Sequence, residues 1–228
     1  QMAGGVIIYP QTFQKKISQI CKKNDVLFVL DEIATGFGRL GSMVEYQSQN
    51  SIPDIVSFGK MLTGGYQTFA ATLATKKIND SFLGEFSEFK HLFHGHTYTG
   101  NPTAAALSLK NLELYEKYHL IEKIQKTSKV FENRINDISN LDIVGEIRHK
   151  GMVMGIELVQ NKKSNKPLSS KISMNKLVFE EGRKHQIYFR TLGNTIMLVP
   201  PLAISQKDLN FLIDGTISTI KSLSRKLR

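Results

Sequence analysis

The sequence has one cysteine, no tryptophan and no long uninterrupted hydrophobic run. A single cysteine, Cys21, excludes an internal disulfide and is typical of a reducing compartment, so we expect a cytoplasmic location. Cys21 falls in a helical series of apolar residues and is expected to fill a core. A membrane-spanning helix needs about 20 mostly apolar residues, and the charged residues are spread throughout this chain. The sequence predicts a globular protein that does not span a bilayer.

The first ten residues, QMAGGVIIYP, lack a basic segment, a hydrophobic segment and a start methionine. They are therefore not expected to be a targeting peptide, and the chain is expected to begin inside a domain. The formal charge of +10 raises the alternative of a basic module that binds nucleic acid. The lysines are dispersed, however, and only the run at 224–228 is dense, so we expect a solvated basic surface without a nucleic-acid partner.

Apolar patterning predicts an α/β fold in the first part of the chain. Helical spacing over residues 10–24 precedes a continuous apolar run at 26–30, which predicts a helix followed by a buried strand. Further strands are predicted at 55–58 and 70–74. This alternation predicts a parallel or mixed sheet, with the ligand site beyond the carboxyl ends of its strands.

The second part of the chain predicts a small α+β domain. A helix from about 102 to 118 would connect the two parts, giving domains at 1–102 and 119–228. Within the second domain we expect helices at 119–138 and 171–184, strands at 143–148, 152–159, 187–190 and 195–199, and a polar loop at 160–167. A final helix is predicted to begin at the capping pair Ser205 and Asp208.

Two ionisable residues follow predicted strands at matching positions. Asp31 comes directly after the run at 26–30, and Lys60 follows the strand at 55–58. A carboxylate at a sheet edge can pair with a cation such as a protonated pyridine nitrogen. A lysine at the same edge can form a Schiff base with an aldehyde. Singly, each residue is more often a cap or a solvated charge, but together they favour a catalytic interpretation.

The motifs LDEIATGFGRLG at 30–41 and PDIVSFGKMLTGG at 53–65 carry a resemblance to the class III aminotransferases, which have the fold-type I architecture. The resemblance implies pyridoxal 5′-phosphate as the cofactor. It also implies that Asp31 holds the pyridine nitrogen, Ile33 packs against the ring and Lys60 carries the cofactor. The reaction expected from it is a ping-pong transamination in which Lys60 shuttles a proton.

A third motif, HGHTYTGNP at 94–102, resembles the family segment whose threonine reaches the partner subunit's cofactor phosphate. The resemblance therefore implies a homodimer in which Thr97 serves the partner's site. It also places Arg190 where the family keeps a carboxylate-binding arginine, a task that suits a planar guanidinium. Gly95 and Arg39 are expected near the substrate, although Arg39 could equally form a structural salt bridge.

Two other patterns are weaker. Residues 36–41 satisfy G-x-G-x-x-G, but five residues separate them from their strand, which disfavours a dinucleotide site. His91, His94 and His96 could bind a metal, yet no carboxylate is selected by spacing, so we expect none. The role of His96 stays open.

Within the class, these motifs and MLVPP at 197–201 most resemble the branch that transaminates a keto acid in biotin synthesis. Enzymes acting on 4-aminobutyrate, ornithine or another ω-amino acid are the alternative, as is an inactive basic fragment. The amino donor, adenosylmethionine or lysine, stays open. Nothing in the sequence matches the family's own-subunit phosphate-binding turn or its ring-stacking aromatic residue. We therefore expect an N-terminally truncated chain that alone binds the cofactor weakly or not at all.

Overall fold

The computed structural model describes residues 1–169 and 171–227. The chain divides into two compact units. The first unit comprises Tyr9–Gly38 and Ser42–Leu120, and the second comprises Gln1–Ile8, Arg39–Gly41 and Ile121–Arg228. Arg228, the last residue of the basic run, lies outside the described residues. Across the described part of the chain, no helix combines the length and apolarity needed to cross a membrane.

The first unit contains a three-stranded mixed sheet. Its strands are β1 (Val29–Asp31), β2 (Ile55–Phe58) and β3 (Ala71–Ala74). β1 pairs with β2 in parallel and β2 pairs with β3 antiparallel, which confirms the predicted mixed sheet. The buried side chains of Phe28, Val56 and Phe58 lie on one face of this sheet. The helices of this unit are α1 (Phe13–Lys23), α2 (Glu45–Ser48), α3 (Lys76–Asp80) and α4 (Pro102–Lys117).

The predicted strand at 26–30 was wrong in its start and its burial. The strand begins at Val29, and Val26, Leu27 and Val29 are 57%, 54% and 55% exposed. Among the described residues β1 pairs with β2 alone, so the continuous apolar run does not signify a strand buried on both faces here.

The long helix α4 forms where a helix was predicted from about 102 to 118, and it lies within the first unit. Asn101 precedes it, and the Asn101 side chain accepts a hydrogen bond from the backbone N–H of Ala104 at 3.0 Å. Pro102 occupies the first turn, where a missing N–H costs nothing. This cap fixes the start of α4 directly after the HGHTYTG segment.

The second unit is built on an antiparallel sheet in the order β4-β5-β8-β7, with β6 beside β5. The strands are β4 (Val144–Lys150), β5 (Val153–Asn161), β6 (Lys166–Pro167), β7 (Arg190–Leu192) and β8 (Thr195–Leu198). The helices are α5 (Leu120–Ser139), α6 (Met174–Lys184) and α7 (Gln206–Lys226). The Ser205 hydroxyl accepts from the Asp208 N–H at 3.0 Å, as the predicted cap requires. The core side chains include Phe131, Ile156, Leu158, Ile196, Leu209, Ile213 and Ile220.

The predicted strand at 187–190 was also misplaced, since β7 begins at Arg190. Ile187 and Phe189 are buried before the strand starts. Their side chains pack against the helix glycines Gly215 and Gly182, where an added Cβ would clash with them. Their apolar pattern therefore reports packing on α6 and α7 rather than strand pairing.

Candidate functional site

Asp31 and Lys60 lie at the same end of the first unit's sheet. Asp31 is the last residue of β1, and its Cα pairs with that of Ser57 on the parallel strand β2. Lys60 follows Ser57 by three residues and opens a 3₁₀ turn, Lys60–Thr63. Both residues are solvent-exposed. The carboxyl ends of two neighbouring parallel strands therefore present a carboxylate and an amine at one edge, where ligands bind in open α/β sheets.

Lys60 adopts a backbone conformation that residues other than glycine rarely take. Its φ is 45°, in the left-handed region. Such a conformation costs of order 1–3 kcal/mol and persists only where the surrounding structure enforces it. Positive φ also occurs at ordinary turns of this chain, such as those at Asn50 and His119, so it is the position of the strained Lys60 beside Asp31 that supports a functional role.

Ile33 reaches the turn that precedes Lys60. A Cβ placed on Gly59 would lie 3.2 Å from Ile33 Cγ2, so the absence of a side chain at Gly59 permits this approach. The backbone N–H of Ile33 donates to Asp31 Oδ1 at 2.9 Å, which orients the carboxylate. The first unit thus brings Asp31, Ile33 and Lys60 together.

Asp31 belongs to a row of polar side chains that crosses one face of the sheet, and the sequence interpretation missed this row. Asp31 pairs with Ser57, and Ser57 pairs with Thr72 on β3. The Ser57 and Thr72 hydroxyls are 3.2 Å apart. Each of these strands has one polar residue in an otherwise apolar run, and only the strand register shows that the three lie side by side.

Glu32, next to Asp31, has a structural task. Its side chain is buried, and its two carboxylate oxygens accept from the backbone N–H groups of Glu45 and Tyr46 at 2.8 Å each. A carboxylate at this position satisfies the free N–H groups at the start of α2. The two adjacent acidic residues therefore have different roles: Asp31 is exposed to solvent, and Glu32 anchors the loop after β1.

The G-x-G-x-x-G segment forms a closed loop rather than a dinucleotide site. The N–H of Phe37 donates to the Met43 carbonyl at 2.6 Å, and the N–H of Gly38 donates to the Ser42 carbonyl at 3.0 Å. The buried Tyr115 hydroxyl of α4 donates to the Phe37 carbonyl at 2.8 Å. No helix opens at Gly41, which is the feature that a Rossmann fingerprint requires.

The remaining predicted residues fall in two places. Gly95 and Thr97 lie in the first unit, within a segment, 81–100, in which every residue is exposed. In that segment His96 Nδ1 accepts from the Tyr98 N–H at 3.1 Å. No three His, Cys, Asp or Glu side chains in the described ranges are grouped so that they could hold a metal ion.

Arg39 and Arg190 belong to the second unit. Arg39 is 6% exposed, and its Nη1 donates to the Met152 and Pro200 carbonyls at 3.2 Å and 2.6 Å. These bonds give Arg39 a structural role in that unit. Arg190 begins β7 and is exposed, so its guanidinium is accessible.

Residues 1–220 match the aminotransferase class-III family, and the chain belongs to that family. It is 43% identical over 223 residues to the adenosylmethionine-8-amino-7-oxononanoate aminotransferase of Methanocaldococcus jannaschii, covering 96% of this chain and 48% of that protein. The crystal structure of the M. jannaschii enzyme superposes with a TM-score of 0.91, covering 96% of this chain and 51% of that one. These findings confirm the predicted α/β, fold-type I architecture.

Two further relatives bear on substrate class. The adenosylmethionine-8-amino-7-oxononanoate aminotransferase of Geobacter sulfurreducens is 38% identical over 224 residues, covering 98% of this chain and 49% of that protein. The gamma aminobutyrate transaminase 3 of Solanum lycopersicum is 35% identical over 211 residues, covering 92% of this chain and 41% of that protein. The chain thus spans about half the length of the curated relatives it matches.

Class III aminotransferases depend on pyridoxal 5′-phosphate, and the residues of the first unit fit the ring end of that cofactor. Asp31 offers an exposed carboxylate for a ring nitrogen, and Ile33 offers an apolar surface beside it. Lys60 offers an accessible amine at the same sheet edge. This donor set suits a pyridine ring with an aldehyde substituent.

Proposed function

We propose that this chain provides the lysine-bearing part of a pyridoxal-phosphate-dependent aminotransferase that converts 8-amino-7-oxononanoate to 7,8-diaminononanoate by a ping-pong reaction. One observation carries the proposal: Lys60 lies in a strained turn at the same sheet edge as Asp31, the last residue of β1. The names of the M. jannaschii and G. sulfurreducens relatives support the substrate and favour adenosylmethionine as the amino donor.

Each residue has a distinct role in the proposed reaction. Pyridoxal phosphate, when bound, supplies an electron sink that stabilises negative charge at the reacting carbon. The Asp31 carboxylate accepts a hydrogen bond from the ring nitrogen and keeps it protonated. Ile33 packs against the ring. The Lys60 amine holds the cofactor and, when released, moves a proton at the substrate carbon that bears the amino group.

Three other residues are proposed to bind or surround the substrate. Arg190 would hold the keto acid's carboxylate at two points, which its exposed, planar guanidinium allows. Gly95 and Arg39 are proposed to shape the substrate pocket, with Arg39 acting through the backbone carbonyls that it holds.

We place Thr97 at the cofactor phosphate of a partner subunit in a homodimer. The segment 81–100 supports this proposal, because it is exposed throughout although it is rich in aromatic residues. Phe86, Phe89, Phe93 and Tyr98 are 68–81% exposed. Aromatic side chains of this kind are enriched at subunit interfaces.

The direct test is borohydride trapping. The complete enzyme that contains this chain is mixed with pyridoxal phosphate and reduced, and peptide mass mapping then locates the bound group. We expect the adduct on Lys60 and its loss in Lys60→Arg, which keeps the charge but removes the amine nucleophile. An adduct spread over many lysines in the parent protein, or unchanged total labelling in Lys60→Arg, would refute the assignment of Lys60.

Substrate identity requires a second assay. Conversion of 8-amino-7-oxononanoate by the complete enzyme is measured with adenosylmethionine, lysine or 4-aminobutyrate as the donor. We expect turnover with adenosylmethionine. Transamination of 4-aminobutyrate to a keto-acid acceptor, without conversion of 8-amino-7-oxononanoate by any donor, would instead support the activity named for the S. lycopersicum relative.

A further inference from the structure

Asn111, in the middle of α4, contacts the turn that carries Lys60. Its side-chain Nδ2 donates to the Met61 carbonyl at 2.7 Å and to the Leu62 carbonyl at 3.3 Å. These are the two residues directly after Lys60. No motif in the sequence drew attention to Asn111, because its partner carbonyls lie about fifty positions earlier in the chain.

The same side chain closes the end of the turn. Gly64 ends the 3₁₀ turn with φ 63°, and its N–H donates to the Met61 carbonyl at 3.1 Å. A Cβ on Gly64 would lie 3.1 Å from Asn111 Oδ1, so the amide packs directly on this glycine. The Met61 carbonyl thus accepts both from Gly64 and from Asn111, and the amide braces the turn at its centre and at its end.

This bracing bears on Lys60 because Lys60 opens the turn with a left-handed φ. A strained residue stays strained only while its neighbours cannot relax. On the other side, the Leu62 N–H donates to the Gly59 carbonyl across Lys60 at 3.0 Å. Fixing Met61 and Leu62 from α4 leaves Lys60 little freedom to rotate into an ordinary conformation.

We infer that Asn111 is a positioning residue that holds Lys60 in the strained conformation from which its amine reacts with the cofactor; this rests on the proposed function. Asn111 acts through the backbone of Met61 and Leu62. Its primary amide is required as a donor, so neither an apolar residue nor a carboxylate of similar size can replace it.

The test compares variants of α4 in the complete enzyme that contains this chain. Asn111→Leu keeps the volume and removes the donor, and Asn111→Gln restores an amide. Ser108→Ala is the matched control, because Ser108 lies on the same helix and bonds only within it in the contacts described, to the Ala104 carbonyl. The readout is the rate of borohydride-trapped adduct formation at Lys60, together with its recovery in the amide variant Asn111→Gln.

We expect Asn111→Leu to slow adduct formation at Lys60 by about fivefold to tenfold, the order of effect expected when a side-chain hydrogen-bond donor is removed. Asn111→Gln should recover most of the rate, and Ser108→Ala should match the parent. A parent chain that labels Lys60 while Asn111→Leu labels it equally fast would overturn the inference and leave the proposed function intact.

A complete parent enzyme that does not label Lys60 would defeat the proposed function instead. The inference is then decided by amide hydrogen exchange at Leu62 and Gly64, whose N–H groups donate within the turn. Faster exchange in Asn111→Leu by about tenfold, with Asn111→Gln and Ser108→Ala unchanged, would support bracing of the turn. Equal exchange in all variants would overturn it.

Discussion

Asp31 and Ser57 are register partners on parallel strands, and this pairing brings the loops after β1 and β2 to one edge of the sheet. The catalytic interpretation therefore depends on strand register as much as on residue type. A shift of one residue would turn Asp31 to the opposite face of the sheet. Strand pairing thus decides which side chains can share the site.

Asp31→Asn should weaken cofactor binding. The asparagine retains an oxygen for the Ile33 N–H, but it cannot stabilise a protonated ring nitrogen by charge. We expect affinity for pyridoxal phosphate to fall by about tenfold or more, measured by titration of the visible absorbance band. Asp54→Asn is the control, because Asp54 Oδ2 accepts from the Phe28 N–H at the other end of the sheet. Equal losses in both variants would argue for a folding defect.

Arg190→Lys should raise the KM for the keto acid more than it lowers kcat. Lysine keeps the positive charge but cannot grip a carboxylate at two points. We expect an increase in KM of about tenfold, measured in steady-state transamination of the complete enzyme. Arg183→Lys, at an exposed position near the end of α6, should leave KM unchanged. A KM for Arg190→Lys equal to that of the parent would remove Arg190 from the substrate site.

Glu181 should make the second unit's stability depend on pH. Hydrogen bonds from Lys184 and then Lys226 lower the pKa of the buried Glu181 carboxyl. Because the folded-state pKa lies below the unfolded-state value, the stabilisation is present at neutral pH. It is lost as the pH falls through the folded-state pKa.

The variant Glu181→Gln should therefore lower the urea midpoint at neutral pH, with the difference from the parent shrinking in acid. Glu180→Gln is the control on the same helix, since Glu180 makes an exposed 4.0 Å pair with Lys176 and has only a minor electrostatic interaction with Lys226. A pH-independent difference between Glu181→Gln and the parent would contradict the assigned linkage.

Gly151 and Gly193 allow the cost of backbone strain to be separated from the cost of a steric clash. Both have positive φ values, 57° and 55°. A Cβ on Gly151 would collide with the backbone of Leu40, whereas a Cβ on Gly193 would meet nothing within 4 Å. Gly193→Ala should cost about 1 kcal/mol of unfolding free energy, and Gly151→Ala about 2–5 kcal/mol, in urea denaturation. Equal costs would show that backbone strain alone decides both positions.

The sequence predicted the fold where local pattern and packing agree. The strand at 55–58, the helix from Pro102 and the cap at Ser205 were predicted because each has its own signal, a bounded apolar run, a proline at a helix start and a capping pair. The strand near 26–30 was misplaced because most of its apolar residues are exposed. The strand near 187–190 was misplaced because its apolar residues are buried by tertiary packing. Ile187, for example, is buried against a helix glycine rather than in a strand.

The candidate site divides in the same way. Asp31 and Lys60 could be predicted from their positions after strands, and the family resemblance supplied roles for Ile33, Thr97 and Arg190. Those roles stay predictions. Asn111 and Thr72 could not be found, since their contacts depend on helix docking and strand register, which no local pattern encodes.

The helix α4 sets a fixed spacing between two loops of the first unit. Its cap, Asn101, follows the Thr97 segment, and ten residues later Asn111 holds the turn of Lys60. Each residue added to a helix advances it by about 1.5 Å and rotates the later residues by about 100°. A single inserted residue between these two asparagines would therefore turn Asn111 away from the Met61 carbonyl while leaving every residue type intact. In this stretch of the chain, the permitted length is as constrained as the permitted chemistry.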